Sequence, residues 1–200
     1  MWPDDEKAAE NTCCIVKDFE EVWAHFCPSK PCLPLSTDTT MPSYRKIEPA
    51  DDARIAEIVR ANLKHFHLDI PGTAYFDPEL EHLSAFYDAE PSKRRYFVAL
   101  DDAGQVVGGA GIAEFEGIED CAELQKLYLD DSAKGKGCGK ELMRITEEWA
   151  RSAGYKKLYL ETHSRLTAAV ELYEKLGFQR IEKPSQTNHG TMDLFYIKRL

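Results

Sequence analysis

The sequence predicts an α/β (α+β) fold, in which a β-sheet is covered by helices. From Tyr44 onward, short runs of β-forming residues alternate with stretches whose apolar residues recur at helical spacing. The order of these runs is mixed and does not follow a strict βαβ alternation. The runs RRYFVAL and QVVGGAGIAEF flank the turn sequence DDAG, which is typical of an antiparallel hairpin. We therefore expect a mixed sheet with helices packed on it.

Size and charge limit the classes of protein to which the chain can belong. Its 200 residues are enough for one domain with an appendage, and 43% hydrophobic residues are typical of a globular protein. The formal net charge of -10 argues against binding to nucleic acid or to an anionic membrane. No apolar run approaches the roughly 18 to 20 residues of a membrane span, and the opening residues MWPDDEKAAE do not resemble a secretory signal. We therefore expect a cytoplasmic protein with reduced thiols.

Residues 1–41 differ in pattern from the rest of the chain. Apolar residues at helical spacing predict one amphipathic helix, with a stripe formed by Ile15, Phe19, Val22, Trp23 and Phe26. The stretch CPSKPCLPLSTDTTMP, with its repeated prolines, predicts a linker that ends near Met41. The predicted organisation is this helix and linker, followed by a main domain over residues 42–200. Because the stripe needs cover, we expect it to dock on the main domain or on a second subunit, and a homodimer is one expected assembly.

Four of the six cysteines lie in this N-terminal segment: Cys13, Cys14, Cys27 and Cys32. His25 lies among them, so a zinc-stabilised interaction protein is one interpretation. No CxxC pair occurs, however, and the spacings do not match those of zinc fingers. We therefore expect no metal site.

The first half of the main domain predicts a strand and two helices before the hairpin. YRKI is the first strand, and a helix follows Pro49 with an apolar face that includes Ile55 and Leu63. A second helix is predicted over PELEHLSAFYDAE. The intervening loop, HFHLDIPGTAYFD, is rich in aromatic and histidine side chains, which either line a pocket or fill the core. The pocket candidates in it are His65, His67, Tyr75 and Phe76.

After the hairpin, the sequence predicts two strand–helix pairs and two final strands. CAELQKLYL is the fourth strand, and a long helix runs from about Gly139 to Ser152 and stops at Gly154. KKLYLET is the fifth strand, and the helix after it ends at Gly177. FQRI and MDLFYIK complete the domain as strands.

The segment LYLDDSAKGKGCGKELM joins a strand to a helix through a glycine-rich turn. Glycines allow the backbone to approach a ligand closely, and the amides at a helix start attract anions. Lysines in the turn add positive charge to a chain that is acidic overall. These residues are Lys134, Gly135, Lys136, Gly137, Gly139 and Lys140. The spacing fits neither a P-loop nor a Rossmann GxGxxG motif. Two interpretations of the turn therefore stay open: a binding site for another kind of phosphate compound, and a surface turn without a ligand.

Three segments resemble motifs of the GNAT acetyltransferase superfamily. KGKGCG, residues 134–139, is similar to the acetyl-CoA loop [QR]xxGx[GA], with lysine in place of the usual Gln or Arg. ELQKLYL resembles the fourth strand of the family, and AVELYEKLGF resembles its fourth-helix motif, although Leu166 replaces an asparagine that often opens it. The resemblance covers about residues 43–200 and is closest to uncharacterised bacterial GNAT proteins that carry ELQKLYL and YLET. It implies a mixed, mostly antiparallel seven-stranded sheet flanked by about four helices.

The resemblance also implies roles for individual residues. Acetyl-CoA would lie between the splayed fourth and fifth strands as co-substrate. The implied cofactor-binding residues are Leu127, Tyr128 and Leu129 for the pantetheine, and Lys134, Gly135, Lys136, Gly137, Cys138, Gly139 and Lys140 for the pyrophosphate. Glu123 is the implied catalytic base, with Glu161 as the alternative, and Tyr173 is the implied proton donor to the thiolate. Cys138 is interpreted as a spacer because no neighbouring residue in the sequence would activate it.

The function implied by the resemblance is N-acetyl transfer. A primary amine of a small molecule or peptide would attack the thioester of acetyl-CoA directly. The alternative is an acetyl-CoA-binding sensor or interaction module without turnover.

Overall fold

The computed structural model describes residues 42–187 and 189–200, which form one seven-stranded sheet with helices on both faces. The strands are β1 (Ser43–Lys46), β2 (Arg95–Leu100), β3 (Val106–Glu114), β4 (Cys121–Leu129), β5 (Lys157–Thr162), β6 (Gln179–Ile181) and β7 (Leu194–Arg199). The helices are α1 (Asp52–His65), α2 (Leu83–Ala89), α3 (Cys138–Ser152) and α4 (Thr167–Lys175). The predicted fold class is confirmed.

The sheet has the strand order β1-β2-β3-β4-β5-β7-β6. All neighbouring strands are antiparallel except β4 and β5, which are parallel. Consecutive side chains of a strand point to opposite faces, so Val98 belongs to the hydrophobic cluster that includes residues of α1 and α2, while Ala99 belongs to the cluster that includes residues of α3 and α4. The domain therefore has two hydrophobic layers, one on each face of the sheet.

Helix boundaries mostly follow the predicted signals. Pro49 opens a short 3₁₀ turn, and α1 begins after it at Asp52. Gly154 and Gly177 follow α3 and α4 with φ of 92° and 85°, the left-handed conformation that ends a helix. The second predicted helix differs, because a 3₁₀ turn over Leu80–His82 precedes α2 and the stretch before it is not helical.

A bulge interrupts β4 at Lys126, whose φ is 49°. The register with β3 shifts opposite this residue, and the hydroxyl of Tyr96 donates a hydrogen bond of 2.9 Å to its carbonyl oxygen. Glycines in β3 make room for the neighbouring rings, since a Cβ on Gly111 would lie 2.2 Å from the hydroxyl oxygen of Tyr87. The bulge therefore interrupts the regular alternation of β4 after its last pair with β5, at Glu123.

The strands β4 and β5 separate after a short stretch of pairing. Their register covers three residue pairs, from Cys121–Lys157 to Glu123–Tyr159. Beyond that point β4 continues to Leu129 along β3, and β5 continues to Thr162 along β7. The two strands therefore form a fork in the middle of the sheet, which opens just past Glu123.

The segment over residues 1–41 lies outside the described residues, and so do its predicted helix, linker and cysteines. In the part of the chain that the structure describes, no helix is both long enough and apolar enough to cross a membrane.

Candidate functional site

A cavity of about 420 Å³ lies in the fork between β4 and β5. We call it the fork cavity. Its walls include Leu127, Tyr128 and Leu129 from β4, Glu161 from β5, and Tyr173 from α4. The glycine-rich turn before α3 closes one end of it. The strand, turn and helix that the sequence singled out thus surround one space.

The turn has the backbone geometry of an anion site. Gly135 and Gly137 have φ of 74° and 81°, and a Cβ on either residue would meet no atom within 4 Å. The positive φ at these two positions favours glycine over other residues. The absence of neighbouring atoms leaves open space beside the turn. Gly137 is the N-cap of α3, so the free amides of the first helical turn begin at this point.

Nine of the ten residues expected to bind the cofactor line the fork cavity, and Lys136 is the exception. Lys134 forms an ion pair with Asp131, with 2.6 Å between Nζ and Oδ1. Lys140 lines the cavity as well. Cys138 is only 1% exposed, and its interpretation as a spacer stays a prediction.

The two residues expected to be catalytic differ in their access to this cavity. Tyr173 lines it, and burial raises the pKa of its phenol, so the hydroxyl stays protonated. Glu123 stands at the last paired position before the fork opens and is 2% exposed. Its Oε2 accepts a hydrogen bond of 2.7 Å from Nε2 of Gln125, whose Oε1 accepts one of 2.9 Å from Tyr87. Glu123 is not among the residues that line the fork cavity.

The alternative carboxylate, Glu161, is in the wall of the fork cavity. Its Oε1 accepts a hydrogen bond of 2.7 Å from the backbone N–H of His189 and lies 2.8 Å from Nδ1 of the same residue. Its Oε2 accepts a weaker hydrogen bond of 3.3 Å from the hydroxyl of Tyr159. Glu161 is therefore fixed in place and still borders the cavity.

A second cavity, of about 680 Å³, is lined by residues of β3 and β4 and by residues of the segment before β7. We call it the outer cavity, and its lining includes Glu79, Glu114, Gln125, Lys126 and His189. Lys126 lines both cavities, so the two spaces adjoin at the β4 bulge. The side chain of Lys126 is thus part of the wall of each cavity.

Lys126 is a buried cation at this junction. Its side chain is 3% exposed, and Nζ lies 2.6 Å from Asp77 and 3.0 Å from Glu79. Burial by itself would lower the pKa of Lys126, but the two carboxylates outweigh it and raise the pKa above its usual value. Asp77 also contacts His189, so a chain of ion pairs runs from Glu79 to Glu161.

The loop residues proposed as pocket candidates contribute little to these cavities. His65, His67, Tyr75 and Phe76 line neither the fork cavity nor the outer cavity, and Phe76 is 58% exposed. The same loop instead supplies Phe66 to the fork cavity and Asp77 to the outer one.

Sequence reasoning did not identify Asp77, Lys126 or His189. For Lys126 a signal existed, since the two consecutive polar residues Gln125 and Lys126 break the alternation of polar and apolar residues in ELQKLYL. His189 lies in an irregular segment before β7 that has no pattern. Among residues 42–187 and 189–200, no group of three His, Cys, Asp or Glu side chains could hold a metal ion.

Comparisons with known proteins match the chain to one family. The model of the acetyltransferase (GNAT) family matches residues 60–178. An uncharacterised N-acetyltransferase of Escherichia coli K12, YjgM, is 38% identical over 143 residues, which cover 70% of this chain and 84% of that protein. A GNAT-family acetyltransferase structure from Staphylococcus aureus Mu50 has a TM-score of 0.70 at 18% identity, covering 80% of this chain and 99% of that one. A phosphinothricin acetyltransferase from Sinorhizobium meliloti, solved with acetyl-CoA, has a TM-score of 0.63 at 23% identity, covering 80% and 88%.

Proposed function

The chain belongs to the GNAT acetyltransferase family and is an acetyl-CoA-dependent N-acetyltransferase, and we propose that acetyl-CoA occupies the fork cavity while the acceptor amine enters from the outer cavity. The observation that carries this proposal is the fork itself. Between β4 and β5 it leaves a space that is lined by a free strand edge and ends at a glycine-rich helix start.

The fork suits the two chemically different ends of the cofactor. Past Glu123 the edge of β4 no longer pairs with β5, so the backbone of residues 127–129 has no partner strand on that side, although the carbonyl oxygen of Leu129 accepts a hydrogen bond of 2.9 Å from Asn62. We propose that the pantetheine amides bind along this edge. The pyrophosphate would lie on the amides of the glycine-rich turn, where the positive end of the α3 dipole and Lys140 favour an anion. The acetyl group would then point to the junction with the outer cavity.

The acceptor must reach the thioester as a neutral amine. A lysine-like amine of pKa about 10.4 lies roughly 3.4 units from deprotonation at pH 7, which corresponds to about 4.6 kcal/mol. The amine nitrogen attacks the carbonyl carbon of the thioester, the carbon–sulfur bond breaks, and one proton leaves the nitrogen. The reaction therefore needs a proton acceptor beside the amine and a proton for the thiolate.

Glu161 is the proton acceptor that we favour over Glu123. It lines the fork cavity and accepts hydrogen bonds that keep its carboxylate oriented, whereas Glu123, which accepts a hydrogen bond from Gln125, is not among the residues that line this cavity. A proton acceptor must lie within hydrogen-bond reach of the amine, directly or through one water. Glu123 as the base stays a prediction that paired substitutions can test.

Tyr173 is the proposed proton donor to the thiolate. It lines the fork cavity, and its raised pKa keeps the phenol protonated at neutral pH. A thiol of pKa about 8.5 is a stronger acid than this phenol, so transfer from Tyr173 to the thiolate is uphill and requires rapid reprotonation of Tyr173 from water. The tyrosine would thus return to its starting state in each cycle.

The acceptor is proposed to be a primary amine of a small molecule or a peptide. The outer cavity has room for a small amine, and a peptide could place one side chain in it. A homodimer, a cytoplasmic location and a separate N-terminal helical segment over residues 1–41 stay predictions from the sequence.

The test of the proposed function is release of free CoA thiol from acetyl-CoA in the presence of a panel of primary amines. We expect release to depend on the amine and an acetylated amine to appear in equal amount. If no amine in the panel raises the rate of thiol release above the rate without amine, and acetyl-CoA still binds tightly, the result would favour the non-catalytic binding module.

A further inference from the structure

His189 places its imidazole ring between two carboxylates that come from distant parts of the chain. Nδ1 lies 2.8 Å from Oε1 of Glu161, and Nε2 lies 3.1 Å and 3.2 Å from the two carboxylate oxygens of Asp77. The backbone N–H of His189 donates to the same Oε1 of Glu161. Both ring nitrogens therefore face acceptors.

This arrangement favours the protonated form of the ring. An ionised carboxylate only accepts hydrogen bonds, and a neutral imidazole has a single N–H to donate. Both contacts are therefore hydrogen bonds only when His189 is an imidazolium. Burial by itself would lower its pKa, but hydrogen bonds to Asp77 and Glu161, and their charges, raise it to about 9.

We propose that His189 is a positioning residue for acetyl transfer: as an imidazolium it joins Glu161 to Asp77 and holds the Glu161 carboxylate in a fixed orientation at the wall of the fork cavity. The proposal rests on the proposed function for its role in the reaction. The protonation state and the contacts of the ring do not depend on that function.

The bridge connects the two sides of the fork where the backbone does not. Pairing between β4 and β5 ends at Glu123 and Tyr159. Beyond that point, Lys126 on β4 contacts Asp77, Asp77 contacts His189, and His189 contacts Glu161 on β5. This chain of ion pairs therefore sets the position of Glu161 relative to β4.

The surrounding charges favour the imidazolium and give the sign of its pH dependence. The groups that face the bridge are Asp77, Glu79, Lys126, Tyr159 and Glu161. With Lys126 and His189 charged, two cations meet three carboxylates, for a net charge of -1; loss of the proton from His189 makes it -2. Because the folded-state pKa is raised above 6.5, the stabilisation by the imidazolium is fully present below pH 6.5 and is lost as pH rises through about 9.

The first test is ¹⁵N NMR of the imidazole nitrogens in the full chain, with the His189 signals assigned by their loss in His189→Gln. We expect both nitrogens to carry protons at neutral pH and the ring to titrate near pH 9. Asp77→Asn should lower the titration midpoint by about one unit or more, because it removes one charged partner. A His189 ring that is neutral at neutral pH would overturn the inference, whether or not the protein acetylates amines.

The second test is the pH profile of kcat. An α-amine acceptor has a pKa near 8 and is therefore already neutral at higher pH. A fall in kcat at high pH, the basic limb of the profile, then reports the titration of a group on the enzyme. We expect kcat of the wild type to fall above about pH 9, and His189→Gln to lose about tenfold in kcat near neutral pH and to lack this limb. The KM for acetyl-CoA should change little.

The matched control is His82→Gln, which removes an exposed histidine outside both cavities and should keep the wild-type profile. Wild-type kcat and an unchanged pH profile in His189→Gln would overturn the positioning role.

If His189→Gln does not fold, Asp77→Asn replaces it as the test variant. The basic limb of its kcat profile should move to lower pH, and an unmoved limb counts against the proposal. A wild type that binds acetyl-CoA but acetylates no amine would contradict the proposed function, and the NMR titration would still decide the state of His189.

Discussion

The substitution Gly137→Asp places a carboxylate where the proposed site holds the pyrophosphate. Gly137 is the N-cap of α3, with φ of 81° and no atom within 4 Å of its potential Cβ. An aspartate side chain therefore fits without a clash, and aspartate tolerates the left-handed conformation better than most residues. The main effect of the substitution is negative charge beside an anionic ligand.

The size of this effect follows from Coulomb's law. Two unit charges about 4 Å apart near a protein surface interact by about 4 kcal/mol at an effective dielectric constant of about 20, and salt reduces this value. A range of about 2 to 4 kcal/mol converts to an affinity for acetyl-CoA that is roughly 30- to 700-fold weaker. High salt should shrink the difference.

Isothermal titration calorimetry with acetyl-CoA measures this loss directly. Gly104→Asp is the matched control, because Gly104 has φ of 74° and equally open surroundings but lies in the β2–β3 turn, outside both cavities. Gly104→Asp should bind acetyl-CoA as the wild type does. A folded Gly137→Asp variant with an affinity within about threefold of the control would refute the assignment of the turn to the pyrophosphate.

Three further predictions concern the chemistry and the domain boundary. Glu161→Gln should lower kcat/KM about a hundredfold while Glu123→Gln stays within about tenfold of the wild type; steady-state kinetics that give the reverse order would identify Glu123 as the proton acceptor. Tyr173→Phe should lower kcat about tenfold or more with unchanged affinity for acetyl-CoA, and full activity would leave Tyr173 a packing residue only. A chain that begins at Met41 should bind acetyl-CoA and turn over, since both cavities lie beyond this residue; a folded truncation without binding would contradict the boundary.

Local signals were sufficient for much of the fold. The DDAG turn needs only its own residues, and the hairpin of β2 and β3 forms around it as expected. The glycine-rich turn could be predicted in the same way. The positive φ of Gly135 and Gly137 and the start of α3 depend on residues that are close together in the sequence. The start of α2 was not predicted. A 3₁₀ turn over Leu80–His82 replaces part of the expected helix, and Ser84 in the first turn of α2 donates hydrogen bonds to Asp52, which is 32 positions away in the sequence.

Features that depend on partners distant in the sequence escaped prediction. The β4 bulge at Lys126 depends on its register with β3 and on the hydroxyl of Tyr96. The contact of His189 with Asp77 joins residues 112 positions apart. The spacing of histidines and carboxylates in the sequence does not indicate such a contact. The chain of ion pairs from Glu79 to Glu161 can therefore be identified only in the folded structure.

The central claim is that acetyl-CoA occupies the fork between β4 and β5, and a crystal structure of the full chain with acetyl-CoA tests it most directly. We expect the pantetheine to hydrogen-bond to the free edge of β4 at residues 127–129, the pyrophosphate to contact the amides of residues 135–139, and the thioester to face Glu161 and Tyr173. Acetyl-CoA bound outside the fork, or with its pyrophosphate away from the glycine-rich turn, would contradict the claim.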